Sequence, residues 1–156
     1  TALAQRLAEA DPSHAADYQA RAATLTTTLT DLDRTFVTGL KSCATTKLVT
    51  GHAAFGYLAA RYGLTQIPIA GLSPEEEPSA KQLADIAATA KAAGVKTIFT
   101  ETLVDPKFAQ TVAKETGAAL AVLDPVEGIT DQSAGKDYHA VMLANLAALR
   151  TGLGCT

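Results

Sequence analysis

The sequence predicts an α/β fold: a four-stranded parallel sheet of order 2-1-3-4, with helices on both faces and one long connecting helix in front. Three observations lead there. Four short apolar runs, at 47–50, 66–70, 96–101 and 119–123, alternate with stretches patterned as helix. The connections are short, which a strand–helix–strand series satisfies only with parallel neighbours. Three of the runs also end in a side chain that can bind a metal: His52, Glu101 and Asp124. Parallel strands share one carboxyl edge, where open α/β sheets bind their ligands.

Taken in order, residues 2–9 are alanine-rich and helical, and read as the end of a helix whose beginning lies upstream. Asp11-Pro12 marks a new helix start, with Asp11 as N-cap and Pro12 in the first turn. From there Tyr18, Ala22, Leu25, Leu29, Leu32, Phe36 and Leu40 recur at spacings of mostly three and four, an apolar stripe along one helix. Over residues 12–41 that helix would span about 45 Å at 1.5 Å per residue. The threonine-rich patch from Thr24 to Thr30 lowers helix propensity without breaking the pattern.

The run 47–50 reads as a buried strand, followed by a helix over 53–62 with Gly63 behind it as a C-terminal cap. The second strand, 66–70, contains Pro68, which places it at a sheet edge. Gly71 to Glu77 is an acidic loop, and its Glu75-Glu76-Glu77 run reads as solvated. Pro78-Ser79 opens a helix that Gly94 stops. Strand 96–101 precedes Asp105-Pro106 and a helix ended by Gly117, and strand 119–123 leads into Asp124-Pro125. A polar loop and a final helix over 137–153 complete the chain.

Composition narrows the function. With 156 residues the chain can bury one proper core. Hydrophobic residues make up 47% and charged ones 19%, which is neither a disordered nor a membrane-spanning composition. A net charge of −3, no tryptophan and 5% aromatics leave neither a basic stripe nor a stacking platform, so nucleic acid is not an expected partner. The glycine-rich phosphate loops and the nucleophile elbow are missing as well.

What remains is metal chemistry. His52, Glu101 and Asp124 offer one imidazole and two carboxylates at equivalent strand ends, a donor set suited to zinc, with manganese as the alternative. Each residue has a blander role open to it. His52 could be a turn residue or helix cap, and Asp124 could begin a turn with Pro125. Glu101 could cap the next segment or orient the imidazole from behind. His14 and His139 read as solvated. Cys43 and Cys155 could form a disulfide or remain two buried thiols. A small α/β metallohydrolase, with zinc-bound water at His52 and Asp124 and Glu101 as base, is the enzymatic alternative.

The stretches Leu48-Val49-Thr50-Gly51-His52-Ala53-Ala54-Phe55-Gly56-Tyr57-Leu58, Gly71-Leu72-Ser73-Pro74-Glu75, Glu77-Pro78-Ser79, Ile98-Phe99-Thr100-Glu101, Leu123-Asp124-Pro125, Tyr138 and Asn145-Leu146 together resemble one family. It is that of the metal-binding subunits of bacterial ABC importers for zinc and manganese, the ZnuA/TroA type, and the match runs through essentially the whole chain. The resemblance implies two α/β lobes joined by a long helix, with one metal between them. Residues 1–42 would then be the end of the N-terminal lobe and the inter-lobe helix, and residues 43–156 the C-terminal metal-binding lobe. It further implies His52 and Asp124 as zinc ligands, Glu101 beside the site, and a Cys43–Cys155 disulfide. Histidine at position 52 favours zinc over manganese, and an adhesin-type manganese binder is the alternative within the family. The implied activity is non-enzymatic: zinc capture outside the cytoplasm, in the periplasm or at a lipid-anchored cell surface, and delivery to an ABC permease. An upstream anchor would be the means of membrane attachment. The histidines that the family contributes from its N-terminal lobe are not in this sequence, so the 156-residue chain alone is expected to bind zinc weakly.

Overall fold

The structure, a computed structural model, describes residues 1–73, 76–102 and 104–156. Glu75, in the acidic run singled out above, lies outside them, as does Pro74. The chain divides into two compact units, Thr1–Thr38 and Gly39–Thr156.

The first unit holds helix α1 (Ala2–Ala10), a 3-10 turn (Pro12–His14) and nearly all of helix α2 (Ala15–Gly39). The sequence predicts one unbroken helix from 12. The structure starts it with a tighter turn, closed by the His14 amide on the Asp11 carbonyl at 3.2 Å. Asp11 does not cap with its side chain. Its carboxylate instead accepts from Ser13 Oγ at 2.6 Å and Tyr18 OH at 3.0 Å, and lies 2.8 Å from His14 Nδ1. The threonines of α2 turn their hydroxyls back onto carbonyls one turn earlier, as Thr26 does on Ala22 and Thr30 on Thr26, both at 2.8 Å. Of the predicted stripe, Leu32, Phe36 and Leu40 are buried, whereas Leu25 and Leu29 are exposed.

The second unit is the α/β lobe. Strands β1 (Lys47–Thr50), β2 (Thr65–Pro68), β3 (Thr97–Thr100) and β4 (Ala119–Val122) alternate with helices α3 (Gly56–Arg61), α4 (Ala80–Ala92), α5 (Lys107–Thr116) and α6 (Tyr138–Leu153). All pairings are parallel and the order is β2-β1-β3-β4, as the sequence predicts. Side chains along a strand point alternately to the two faces, and β3 shows where the helices lie. Ile98 joins a core of Val49, Ile69, Ala90, Val95, Ala109, Val112 and Ala113, on the side of α4 and α5. Its neighbours Thr97 and Phe99 meet α6 on the other face, where a Cβ on Gly152 would sit 2.5 Å from Phe99 Cζ. Only a residue without a side chain lets α6 come that close. Helices therefore cover both faces.

Local signals set the ends of the elements. Ser79 and Gln82 form a reciprocal capping box at the start of α4, and Asp137 caps α6 through Ala140 N at 2.8 Å. Gly117 and Gly154 end α5 and α6 in the left-handed conformation. The apolar composition of the 119–123 run suggests a buried strand, and the structure corrects that for β4. Leu120 and Val122 are 45% and 49% exposed, because β4 is an edge strand with a neighbour on one side only. Cys43 and Cys155 form a disulfide. Backbone hydrogen bonds from Ala44 to Gly154 and from Thr156 to Ser42 reinforce this tie between the C-terminal tail and the segment before β1. Among the described residues no helix is long and apolar enough to cross a membrane.

Candidate metal centre

The strand order puts the end of β1 beside the end of β3, and β3 beside β4. His52, Glu101 and Asp124 each follow one of these strands, so all three gather along one edge of the sheet. What each does there differs.

His52 is 2% exposed and held at every polar group of its backbone. Its carbonyl accepts from Thr50 Oγ1 at 2.7 Å and from Gln66 Nε2 at 3.0 Å. Its amide donates to Glu101 Oε1 at 3.1 Å. The other oxygen of the same carboxylate, Oε2, lies 2.6 Å from the ring Nδ1. It is a short ion-pair contact, and neither atom has another partner among the described residues. Glu101 thus grips both the main chain and the ring of His52. Burial pushes the Glu101 carboxyl above its ordinary value; the pull of His52 opposes that, and the nearby charge of Glu127 adds to it. Gly51 makes the grip possible, since a Cβ there would stand 2.8 Å from Glu101 Oε1.

With Nδ1 turned to Glu101, Nε2 is the ring atom left to face outward. The group it faces is Glu127, whose Oε1 is 3.8 Å away. Among the described residues, Glu101 and Glu127 are the carboxylates within ion-pairing reach of the ring. Glu127 lies in the polar loop after Asp124-Pro125, where the sequence pattern points to no metal ligand. The signal that could have found it is an acidic residue just beyond the Asp124-Pro125 turn, at the carboxyl end of a strand.

Asp124 is 3% exposed and is engaged with its own loop. Its Oδ1 accepts from Val126 N at 2.7 Å, and its Oδ2 is buried without a hydrogen-bond partner among the described residues. The Asn145 side amide brackets its main chain, accepting from Asp124 N at 2.8 Å and donating to Asp124 O at 2.7 Å. Val126 has φ +62, the one described non-glycine residue with positive φ. A β-branched residue there is strained by about 1–3 kcal/mol.

The donor chemistry fits a zinc ion. Zinc about 2.0–2.2 Å from an imidazole nitrogen and a carboxylate oxygen sets the two roughly 3.4 Å apart in a tetrahedral site. The 3.8 Å between Nε2 and Oε1 is too long for a hydrogen bond and close to that spacing. The Glu127 side chain is 53% exposed. A carboxylate behind the other ring nitrogen is the usual partner of a metal-binding histidine. No three His, Cys, Asp or Glu side chains among the described residues gather closely enough to hold an ion alone. His14 lies on the Asp11 network of the first unit, and His139 is in the first turn of α6.

Fold and site together define a class: an α/β lobe that offers part of a metal site at the carboxyl edge of its sheet. The chain belongs to the family described as zinc-uptake complex component A, periplasmic (ZnuA), whose profile matches residues 1–152. It is 44% identical over 146 residues to the zinc-binding protein AdcA of Streptococcus pyogenes, covering 92% of this chain and 28% of that protein. It is 39% identical over 153 residues to the high-affinity zinc uptake system protein ZnuA of Bacillus subtilis, covering 97% of this chain and 48% of that one. The crystal structure of the laminin-binding protein Lbp of Streptococcus pyogenes superposes with a TM-score of 0.88 at 39% identity, over 96% of this chain and 58% of that one. A Zn(II)-bound variant of AdcAII from Streptococcus pneumoniae gives 0.85 at 37% identity, over 97% of this chain and 54% of that one. The chain therefore spans from about a quarter to somewhat over half the length of these relatives.

Proposed function

We propose that this chain is the C-terminal lobe and connecting helix of an extracytoplasmic receptor that captures zinc and passes it to an ABC permease. The observation that carries this is the division of labour on the His52 ring, with Nδ1 against buried Glu101 at 2.6 Å and Nε2 turned toward Glu127. In this reading zinc is cargo, His52 and Glu127 are this lobe's donors, and the remaining ligands come from a second lobe outside this sequence. Asp124, expected as a ligand from the sequence, stands at the same edge with its Oδ1 committed to Val126.

The names of the relatives support zinc, and so does an imidazole donor, which suits zinc better than manganese. The disulfide suits an oxidising compartment, in keeping with the word periplasmic in the family description. The hydrolase reading asks Glu101 to act as a base on substrate. Buried behind the ring and bonded to the His52 amide, that carboxylate is placed to orient the imidazole instead.

Competition for Zn2+ and Mn2+ against a chromophoric chelator tests the proposal in the full-length protein that carries this sequence. The expected result is tight one-to-one zinc binding, much weaker manganese binding, and weak zinc binding by the 156-residue chain alone. Preference for manganese, or tight stoichiometric zinc binding by the isolated chain, would reject the reading.

A further inference from the structure

We infer that Asp124 is a positioning residue: its carboxylate holds the strained turn at Val126 that carries Glu127 to the His52 ring. The inference rests on the zinc-receptor reading and adds to it the device that sets the second donor.

The chain of contacts runs from the core outward. Leu123, fully buried, closes the β4 pairing by donating its amide to the Thr100 carbonyl at 2.8 Å. Beyond it the backbone leaves the sheet and must turn within three residues to bring position 127 in front of position 52. Asn145, on α6 and 3% exposed, fixes the Asp124 peptide from both sides. From that fixed base Asp124 Oδ1 accepts from Val126 N at 2.7 Å, the side-chain-to-backbone bond two residues on that makes an Asx turn. Pro125 lies between them, with its φ already locked. The outcome is Val126 at φ +62, a conformation a valine does not hold unless its surroundings impose it. Of those surroundings, the Asp124 carboxylate is what the structure shows bonded to the Val126 amide. The next residue is Glu127, with Oε1 at 3.8 Å from His52 Nε2. If Val126 relaxed to negative φ, the chain direction would change immediately before Glu127 and carry its carboxylate away from the ring.

A positioning role and a ligand role make different demands on the Asp124 carboxylate, whose Oδ1 accepts from Val126 N and whose Oδ2 has no hydrogen-bond partner among the described residues. The turn needs only an oxygen acceptor at Oδ1, which an asparagine also supplies. A ligand role needs the negative charge, which an asparagine lacks. The test therefore compares Asp124→Asn, Asp124→Ala, Glu127→Ala and the double variant Asp124→Ala/Val126→Gly in the full-length protein. Two readouts are taken: zinc affinity by chelator competition, and hydrogen exchange of the residue-126 amide without metal.

Asp124→Asn is expected to keep zinc affinity within about threefold of the parent and to keep the Val126 amide protected. Asp124→Ala is expected to lose roughly 10–100-fold in affinity, as lost outer partners of a metal site do, and to expose that amide. Adding Val126→Gly should recover part of the loss, because glycine enters the left-handed region without strain. Glu127→Ala should lose at least as much as Asp124→Ala. The inference is overturned if Asp124→Asn falls as far as Asp124→Ala while the Val126 amide stays protected, which would make Asp124 a ligand in its own right. It is also overturned if Asp124→Ala changes neither readout. Should Asp124→Ala fail to fold, the asparagine variant and single Val126→Gly decide alone, both being expected to bind near parental strength. Absence of zinc binding in the parent protein would instead strike at the receptor reading, and shows in the unsubstituted arm.

Discussion

Two stretches of the same sheet edge bring the proposed donors to the candidate site by different means. After β1, residues 50–52 are tightly enclosed: the ring, amide and carbonyl of His52 all have partners, and the side chain is 3% exposed. After β4, residues 124–127 leave the sheet in a strained turn, and Glu127 ends 53% exposed. One donor is fixed by burial and a shared carboxylate, the other by backbone direction. The difference suits the proposed role, in which a receptor closes on a metal and later gives it up. A donor with one permitted orientation defines where the ion sits, and a partly solvated one can adjust as the coordination shell is completed or broken.

The largest expected effect breaks the enclosed side outright. His52→Ala in the full-length protein removes the proposed ligand and should lower zinc affinity by more than the roughly 10–100-fold typical of a lost outer partner, read by chelator competition. His139→Ala, on α6, serves as control and should leave affinity unchanged. Equal losses in the two would dissolve the distinction between the two histidines.

Next, Glu101→Gln keeps the shape behind the ring and removes the charge. The Gln oxygen can still accept from the His52 amide, which turns the NH2 group toward Nδ1 and favours a proton on Nε2, the atom the metal needs. Zinc affinity should fall roughly 10–100-fold while the fold persists. Unchanged affinity would show that Glu101 does not set the ring.

Gly51→Ala sharpens the comparison without touching a donor. Its new Cβ would meet Glu101 Oε1 at 2.8 Å, so the carboxylate or the β1 turn must shift. A stability loss of about 1–3 kcal/mol, the usual cost of overpacking, is expected in denaturant unfolding, together with weaker zinc binding.

The smallest effect lies in the other unit and gives a baseline for electrostatics away from the edge. Ser13, with Tyr18 and His14, holds the Asp11 carboxyl below its ordinary value. A carboxyl lowered on folding contributes stability above its ordinary value and loses it as pH falls through the lowered one. Carbon-detected NMR titration of Asp11 should find its midpoint below 3.8, and Asp11→Asn should remove that pH dependence and little else.

Much of this was legible in the sequence because the signals are local. Strand runs separated by helix patterns gave the alternation, Pro68 marked the edge strand, and Ser79, Gly117 and Asp137 stood at the ends their chemistry suits. The family resemblance was carried by motifs that lie on these junctions. Legibility failed where burial depends on neighbours. The predicted order already puts β4 at an edge, yet its apolar run has the composition of a buried strand, because residue type does not say how fully the rest of the chain covers an edge strand.

By itself the sequence determined the fold class, the parallel order and the sheet edge where His52, Glu101 and Asp124 collect, because periodicity and turn chemistry act over a few residues. Tertiary structure alone decided which groups each carboxylate meets. Glu101 reaches His52 across 49 residues, and Asn145 fixes Asp124 across 21. The acidic group facing Nε2 then follows from one backbone angle at Val126. Residues so distant in the chain meet only when strands are ordered and helices packed.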